Sequence, residues 1–107
     1  MMAEPLDSIV QAVRDRGYIV SLHYWEERVK EVTRPLPSAI IVSIGNNEPE
    51  IIESYDEDPR GVSCLILGTN GQGRQIHSVL GYESYPIKII TAYRPADDIW
   101  INGRTRR

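Results

Sequence analysis

The sequence contains a single cysteine and two histidines, and that scarcity removes several kinds of chemistry at the outset. One thiol, Cys64, has no partner for an internal disulfide, and its place in the apolar run VSCLILG reads as a buried strand residue. With no CxxC, HExxH or EF-hand spacing, a metal would need ligands unlinked in sequence, so neither a metal nor another cofactor is expected. TNGQGR lacks the Lys-Ser/Thr pair of a phosphate loop and precedes no helix, which makes it a hairpin loop. No GxSxG elbow supports a serine nucleophile. No apolar run approaches the roughly 20 residues of a membrane span, and MMAEPLDS has no signal-peptide pattern, so a cytoplasmic protein is expected. Positive charge is also short. A net charge of -3 and a pI near 5.3 disfavour a broad footprint for RNA or the ribosome. The one basic run, RTRR, reads as part of a solvated tail over residues 102–107.

What is present suits one soluble domain. A chain of 107 residues, 41% hydrophobic and 25% charged, can bury one core, placed here over residues 6–101. The chain is organised around Gly73 to Pro95. Arg74–Leu80 and Ile87–Tyr93 read as paired strands, with GYESYP as a hairpin loop of about five residues between them. The second strand, rich in β-branched residues, is expected inside the sheet. Upstream, EIIESY at residues 50–55 reads as an edge strand and GVSCLILG at 61–68 as a buried one. Short loops between the four imply an antiparallel meander.

The N-terminal half reads as helical. Residues 5–16 carry Leu6, Ile9, Val10 and Val13 at helical spacing, with Asp7 or Ser8 as cap and Gly17 as stop. Tyr18–Val20 reads as a connection. Ser21 is a favourable N-cap for a helix running to about Thr33, whose stripe of Leu22, Trp25, Val29 and Val32 is expected to pack on the sheet. Buried there, Trp25 would cost about 3–5 kcal/mol on replacement by alanine. Pro35 and Pro37 end that helix, and Ser38–Ile44 forms a third, although IIVSI alone also suits a strand. The expected fold is α+β, with N-terminal helices packed on a four-stranded antiparallel sheet.

Chemistry is carried by an Arg, His and Tyr set. His23 and Arg28 lie on the second helix, and Arg74, His77 and Tyr93 on the paired strands. Such a set suits phosphodiester transfer, with a base for a 2′-hydroxyl, an arginine for the phosphorane and an acid for the leaving oxygen. The bland alternative is that His23 caps or packs locally, Arg28 pairs with Glu31, Arg74 faces solvent and His77 is a hydrogen-bonded core residue.

Ser21, His23 and Arg28, then Arg34, SCLILG, GRQIHSV, IITAYRP and Trp100 form an ordered series over residues 18–101. It resembles an uncharacterised family of small bacterial proteins whose usual pattern runs SxHxxxRM, a second Arg, SxLxLG, GRPLHVV and IITVYxPxxxxW. Here one further residue separates His23 from Arg28, and Gln75 replaces the usual proline. That family is placed near the RelE-like and BrnT-like toxins, small α+β proteins with N-terminal helices against an antiparallel sheet. The resemblance implies an endoribonuclease acting on free RNA or on the ribosome, made with an antitoxin partner, and it implies that His23, Arg28, Arg74 and His77 share one pocket. Strand alternation, by contrast, sets Arg74 and His77 on opposite faces. The rivals are a non-catalytic domain of the same fold that binds a protein partner and a domain that binds a small ligand in the Arg/His/Tyr pocket.

Overall fold

The computed structural model describes residues 5–46, 48–59 and 61–107. Residues 1–4 of the acidic opening, Asn47 of the NNEP turn and Arg60 of the DEDPRG turn lie outside them. In chain order the elements are α1 (Pro5–Arg14), β1 (Tyr18–Val20), α2 (Leu22–Lys30), α3 (Pro37–Gly45), β2 (Glu50–Tyr55), β3 (Ser63–Thr69), β4 (Gln75–Gly81), β5 (Ile87–Tyr93), β6 (Trp100–Ile101) and β7 (Thr105–Arg106). The fold is α+β, but the main sheet has five strands in the order β1-β5-β4-β3-β2 and is mixed.

The fifth strand corrects the expectation of a purely antiparallel meander. Tyr18–Val20, read as a connection, pairs in parallel with Ile87–Ile89 of β5. β5 thereby gains a neighbour on each side, while β2 is the edge strand on the far margin. How the chain leaves α1 explains the insertion. Arg16, not Gly17, takes the left-handed conformation (φ 62°). Arg16 N–H donates to the Val13 carbonyl and Gly17 N–H to the Ala12 carbonyl, the paired bonds of a Schellman C-cap. Gly17 serves a different need, because a Cβ there would collide with the Tyr85 ring.

Ile9 and Val13 of α1, Ile40 and Ile44 of α3, and Cys64, Ile66, Ile76, Leu80, Ile89 and Ala92 of the sheet form one buried cluster. α3 lies directly on β3: a Cβ on Gly68 would meet the Ser43 carbonyl. Arg14 ties the two helices together by donating from Nε to the Gly45 carbonyl at 2.8 Å, which satisfies an otherwise free C-terminal acceptor.

Alternation sends the other set of strand side chains, among them Leu65, Leu67, His77 and Tyr93, to the opposite face. One end of that face is covered by the β6–β7 hairpin, where Trp100 is buried. The C-terminus is therefore not a solvated tail. Arg106 Nε donates to Glu53 at 2.6 Å, and Arg104 Nε to Glu50 at 2.6 Å. Gln75 Nε2 reaches the Asn102 carbonyl at 2.7 Å. Asn102 and Gly103, at φ 54° and 71°, supply the left-handed residues of the three-residue loop 102–104 that joins Ile101 to its partner Thr105.

α2 departs most from expectation. It ends at Lys30, and Tyr24 is its buried residue. Leu22, Trp25 and Val29 are 75%, 44% and 78% exposed, and Val32 and Leu36 beyond the helix are exposed as well. The apolar stripe points outward. Three anchors fix this rotation. Ser21 Oγ accepts from Tyr24 N–H at 3.1 Å, as an N-cap, and also donates to the Ile90 carbonyl at 2.7 Å. The Tyr24 hydroxyl donates to the Pro35 carbonyl. Arg34, just past the helix, donates to the Ala92 carbonyl at 3.2 Å while its other nitrogens reach Glu27 and Glu31.

Candidate functional site

Of the five residues singled out for chemistry, the structure brings two together. His77 and Tyr93 are opposite partners on β4 and β5, with Nδ1 of the histidine 3.3 Å from the tyrosine hydroxyl. His77 is fully buried, with the Trp100 ring edge-on at 4.5 Å between centroids and Nε2 2.6 Å from the Gly103 carbonyl. A carbonyl only accepts, so the hydrogen-bond network assigns the proton to Nε2 and leaves Nδ1 to accept from Tyr93. Burial holds the imidazole below its ordinary pKa of 6.5, with the Gly103 carbonyl and Glu53 opposing in part. The Tyr93 hydroxyl is raised by burial. A neutral histidine with both nitrogens engaged is the hydrogen-bonded core residue of the bland alternative.

The other three lie apart from this pair. Arg74 precedes β4 at an exposed turn, where its backbone N–H donates to Asn70 Oδ1 at 2.9 Å. His23 is exposed on α2, with Nε2 3.3 Å from Glu27. Arg28 does not pair with Glu31. Its side chain is half-buried beside Tyr24, and its Nε has no hydrogen-bond partner among the described residues. Glu31 goes instead to Arg34, whose Nη1 also lies 3.4 Å from Thr91 Oγ1.

On the same face but on the other side of His77 from Tyr93, across β3, the carboxylate of Glu53 on β2 sits between the Tyr55 hydroxyl and the Arg106 guanidinium. The bonds from Arg106 pull Glu53 below the ordinary carboxylate range, and burial with the neighbouring carboxylate pushes Tyr55 up to about 12. Arg106 also lies 4.6 Å over the Trp100 ring. Every charge here is answered by a partner, and the group functions as a clasp that closes the hairpin over His77.

Two surfaces among the described residues involve α2 and its cap. A cleft of about 500 Å³ is lined by Ser21, His23, Ser63, Lys88, Asp58 and Glu83, among others, a mixture of both signs of charge. The second is the outer face of α2. Leu22, Trp25 and Val29 share one side at i, i+3 and i+7 spacing, and Glu26 and Lys30 flank them. Sequence periodicity found this stripe but placed it inside. The signal for its true direction is Tyr24 on the other side, a large ring with a hydroxyl that needs a buried acceptor. Among the described residues, no three His, Cys, Asp or Glu side chains group to hold a metal. No described helix is long and apolar enough to cross a membrane.

Residues 26–94 match the family model described as a domain of unknown function (DUF4258), and the chain belongs to that family. The matched span takes in Arg28, Arg74, His77 and Tyr93 and leaves His23 and Trp100 outside. No curated protein and no solved structure matches the chain.

Proposed function

We propose that this domain is a protein-binding module and that the outer face of α2 is its docking surface. The observation that carries the reading is the exposure of Leu22, Trp25 and Val29 on one helix side. Single exposed apolar residues are ordinary, whereas an aromatic and two aliphatic side chains on one side of a nine-residue helix form a patch of the kind that marks interaction sites. Aromatic anchors at the centre of such patches carry most of the binding energy. Enzymatic RNA cleavage, the activity implied by the resemblance, finds less support. It needs an accessible acid-base pair, and His77 is buried on a carbonyl and remote in role from the exposed His23.

A photo-crosslinking side chain at position 22, compared with one at exposed Gln72, tests the reading in cells that make the protein naturally. A discrete protein adduct specific to position 22, and lost in Trp25→Asp, is expected. Absence of any adduct at position 22 beyond the control, together with His23-dependent cleavage of RNA or translating ribosomes by purified protein, would put the enzyme first.

A further inference from the structure

The outer face of α2 also carries information about what it binds, and the step taken here rests on the reading of that face as a docking surface. We infer that its occupant is a second copy of this chain, with the two α2 helices packed antiparallel across a two-fold axis. An isologous interface must be self-complementary, every contact of one residue with another across the axis being made twice, once in each direction. α2 meets this condition. Around a two-fold axis near Glu27, Trp25 of one copy falls opposite Val29 of the other, and Val29 opposite Trp25, with Leu22 extending the same stripe at each end. In an antiparallel pair, each flank of one helix meets the same flank of the other. The second copy's Lys30 therefore lies on the flank that Glu26 faces, two residues or about 3 Å along the axis from the point level with Glu26, a gap the two long side chains span, and the pair recurs by symmetry.

The charges of α2 support this register. Glu27 and Glu31 are held by Arg34, and Glu27 also by His23. Glu26 and Lys30, the two that border the apolar stripe, are exposed and make no ion pair within the described residues. Arg28, the one cation on the opposite flank, is half-buried against its own Tyr24. One side of the stripe thus presents an unengaged acid and an unengaged base four residues apart, the arrangement by which antiparallel helices select each other. Burying Leu22, Trp25 and Val29 on both copies, with exposed Val32 and Leu36 past the helix end at the margin, removes at most on the order of 1,000 Å² from water, the lower bound for a biological interface. The dimer is accordingly a weak, concentration-dependent one.

Sedimentation equilibrium across a wide concentration series tests the inference. Wild type is expected to pass from monomer to dimer. Val29→Glu, at a position exposed enough to leave the fold intact, is expected to stay monomeric with an unchanged circular dichroism spectrum. Glu26→Lys should weaken association about tenfold, since two attractions become two repulsions, and the swap Glu26→Lys with Lys30→Glu should restore it. A wild type that is monomeric at every concentration overturns the inference while leaving the crosslinking test, which registers any partner, to decide the broader reading. A dimer untouched by Val29→Glu, or one that the charge swap fails to rescue, equally overturns it.

Discussion

Exchanging the two adjacent aromatic residues of α2 in turn separates the observed rotation of the helix from the one that hydrophobic spacing suggests. Tyr24 is fully buried, and its hydroxyl serves the Pro35 carbonyl. Tyr24→Ala empties a ring-sized space and leaves that carbonyl without a partner, at about 3–5 kcal/mol for the ring. In a domain of this size, where each kcal/mol moves the midpoint by roughly 4–8 °C, the melting temperature should fall by about 12–40 °C. Tyr24→Phe keeps the packing and loses only the hydrogen bond, at about 0.5–1.5 kcal/mol. Trp25 lies edge-on to Tyr24 at 5.0 Å and is 44% exposed, so Trp25→Ala should cost about 1 kcal/mol, well short of the full core value. Thermal unfolding followed by circular dichroism in dilute solution, where association makes no contribution, measures all three. A Trp25→Ala protein at least as destabilised as Tyr24→Ala would refute the orientation of α2 and with it the docking surface.

Other consequences are equally direct. Because burial lowers the His77 pKa, the unfolded chain takes up a proton that the native state refuses. The stability this contributes is complete above the ordinary pKa of 6.5 and declines as pH falls below it. Urea midpoints between about pH 5 and 7.5 should therefore slope downward on acidification in wild type and be flatter in His77→Gln. Glu53 acts in a lower window: its depressed pKa holds the clasp closed through the ordinary carboxylate range and releases it only in stronger acid. Hydrogen exchange over residues 99–107 should accelerate there, and in Glu53→Gln should already be fast at neutral pH. Gly68→Ala drives a methyl group into the Ser43 carbonyl and should cost about 1–3 kcal/mol in a urea titration; no loss would mean that α3 does not lie on β3.

Much of this architecture is legible in the sequence. α1, α3 and the four strands from β2 to β5 stand within about two residues of where periodicity and Gly/Pro punctuation place them, because each is long enough for its repeat to register. β1 is not, since three residues hold no period and their pairing partner lies some 70 positions downstream. The C-terminal hairpin had a signal in Asn102-Gly103, but composition alone made NGRTRR look like a tail. α2 shows a deeper limit. Apolar residues at helical spacing identify a face without saying whether that face meets the molecule's own core or something else, since burial of apolar residues is a one-way rule. The candidate site followed the same pattern. Strand register brought His77 to Tyr93 and, by alternation, set Arg74 apart. The carbonyl of Gly103 that locks the histidine arrives from a hairpin far along the chain, beyond the reach of a local motif.

The two tryptophans allow the docking surface to be measured against an internal standard. Trp25 is 44% exposed on α2, and Trp100 is 3% exposed beneath the β6–β7 hairpin. Hydroxyl-radical footprinting with residue-level mass spectrometry reads both in one sample. In dilute protein Trp25 should oxidise many times faster than Trp100, and its rate should fall as the protein concentration or a captured partner is raised while that of Trp100 stays constant. Trp25 protected to the level of Trp100 in dilute solution, or a Trp25 rate that association leaves unchanged, would contradict the account.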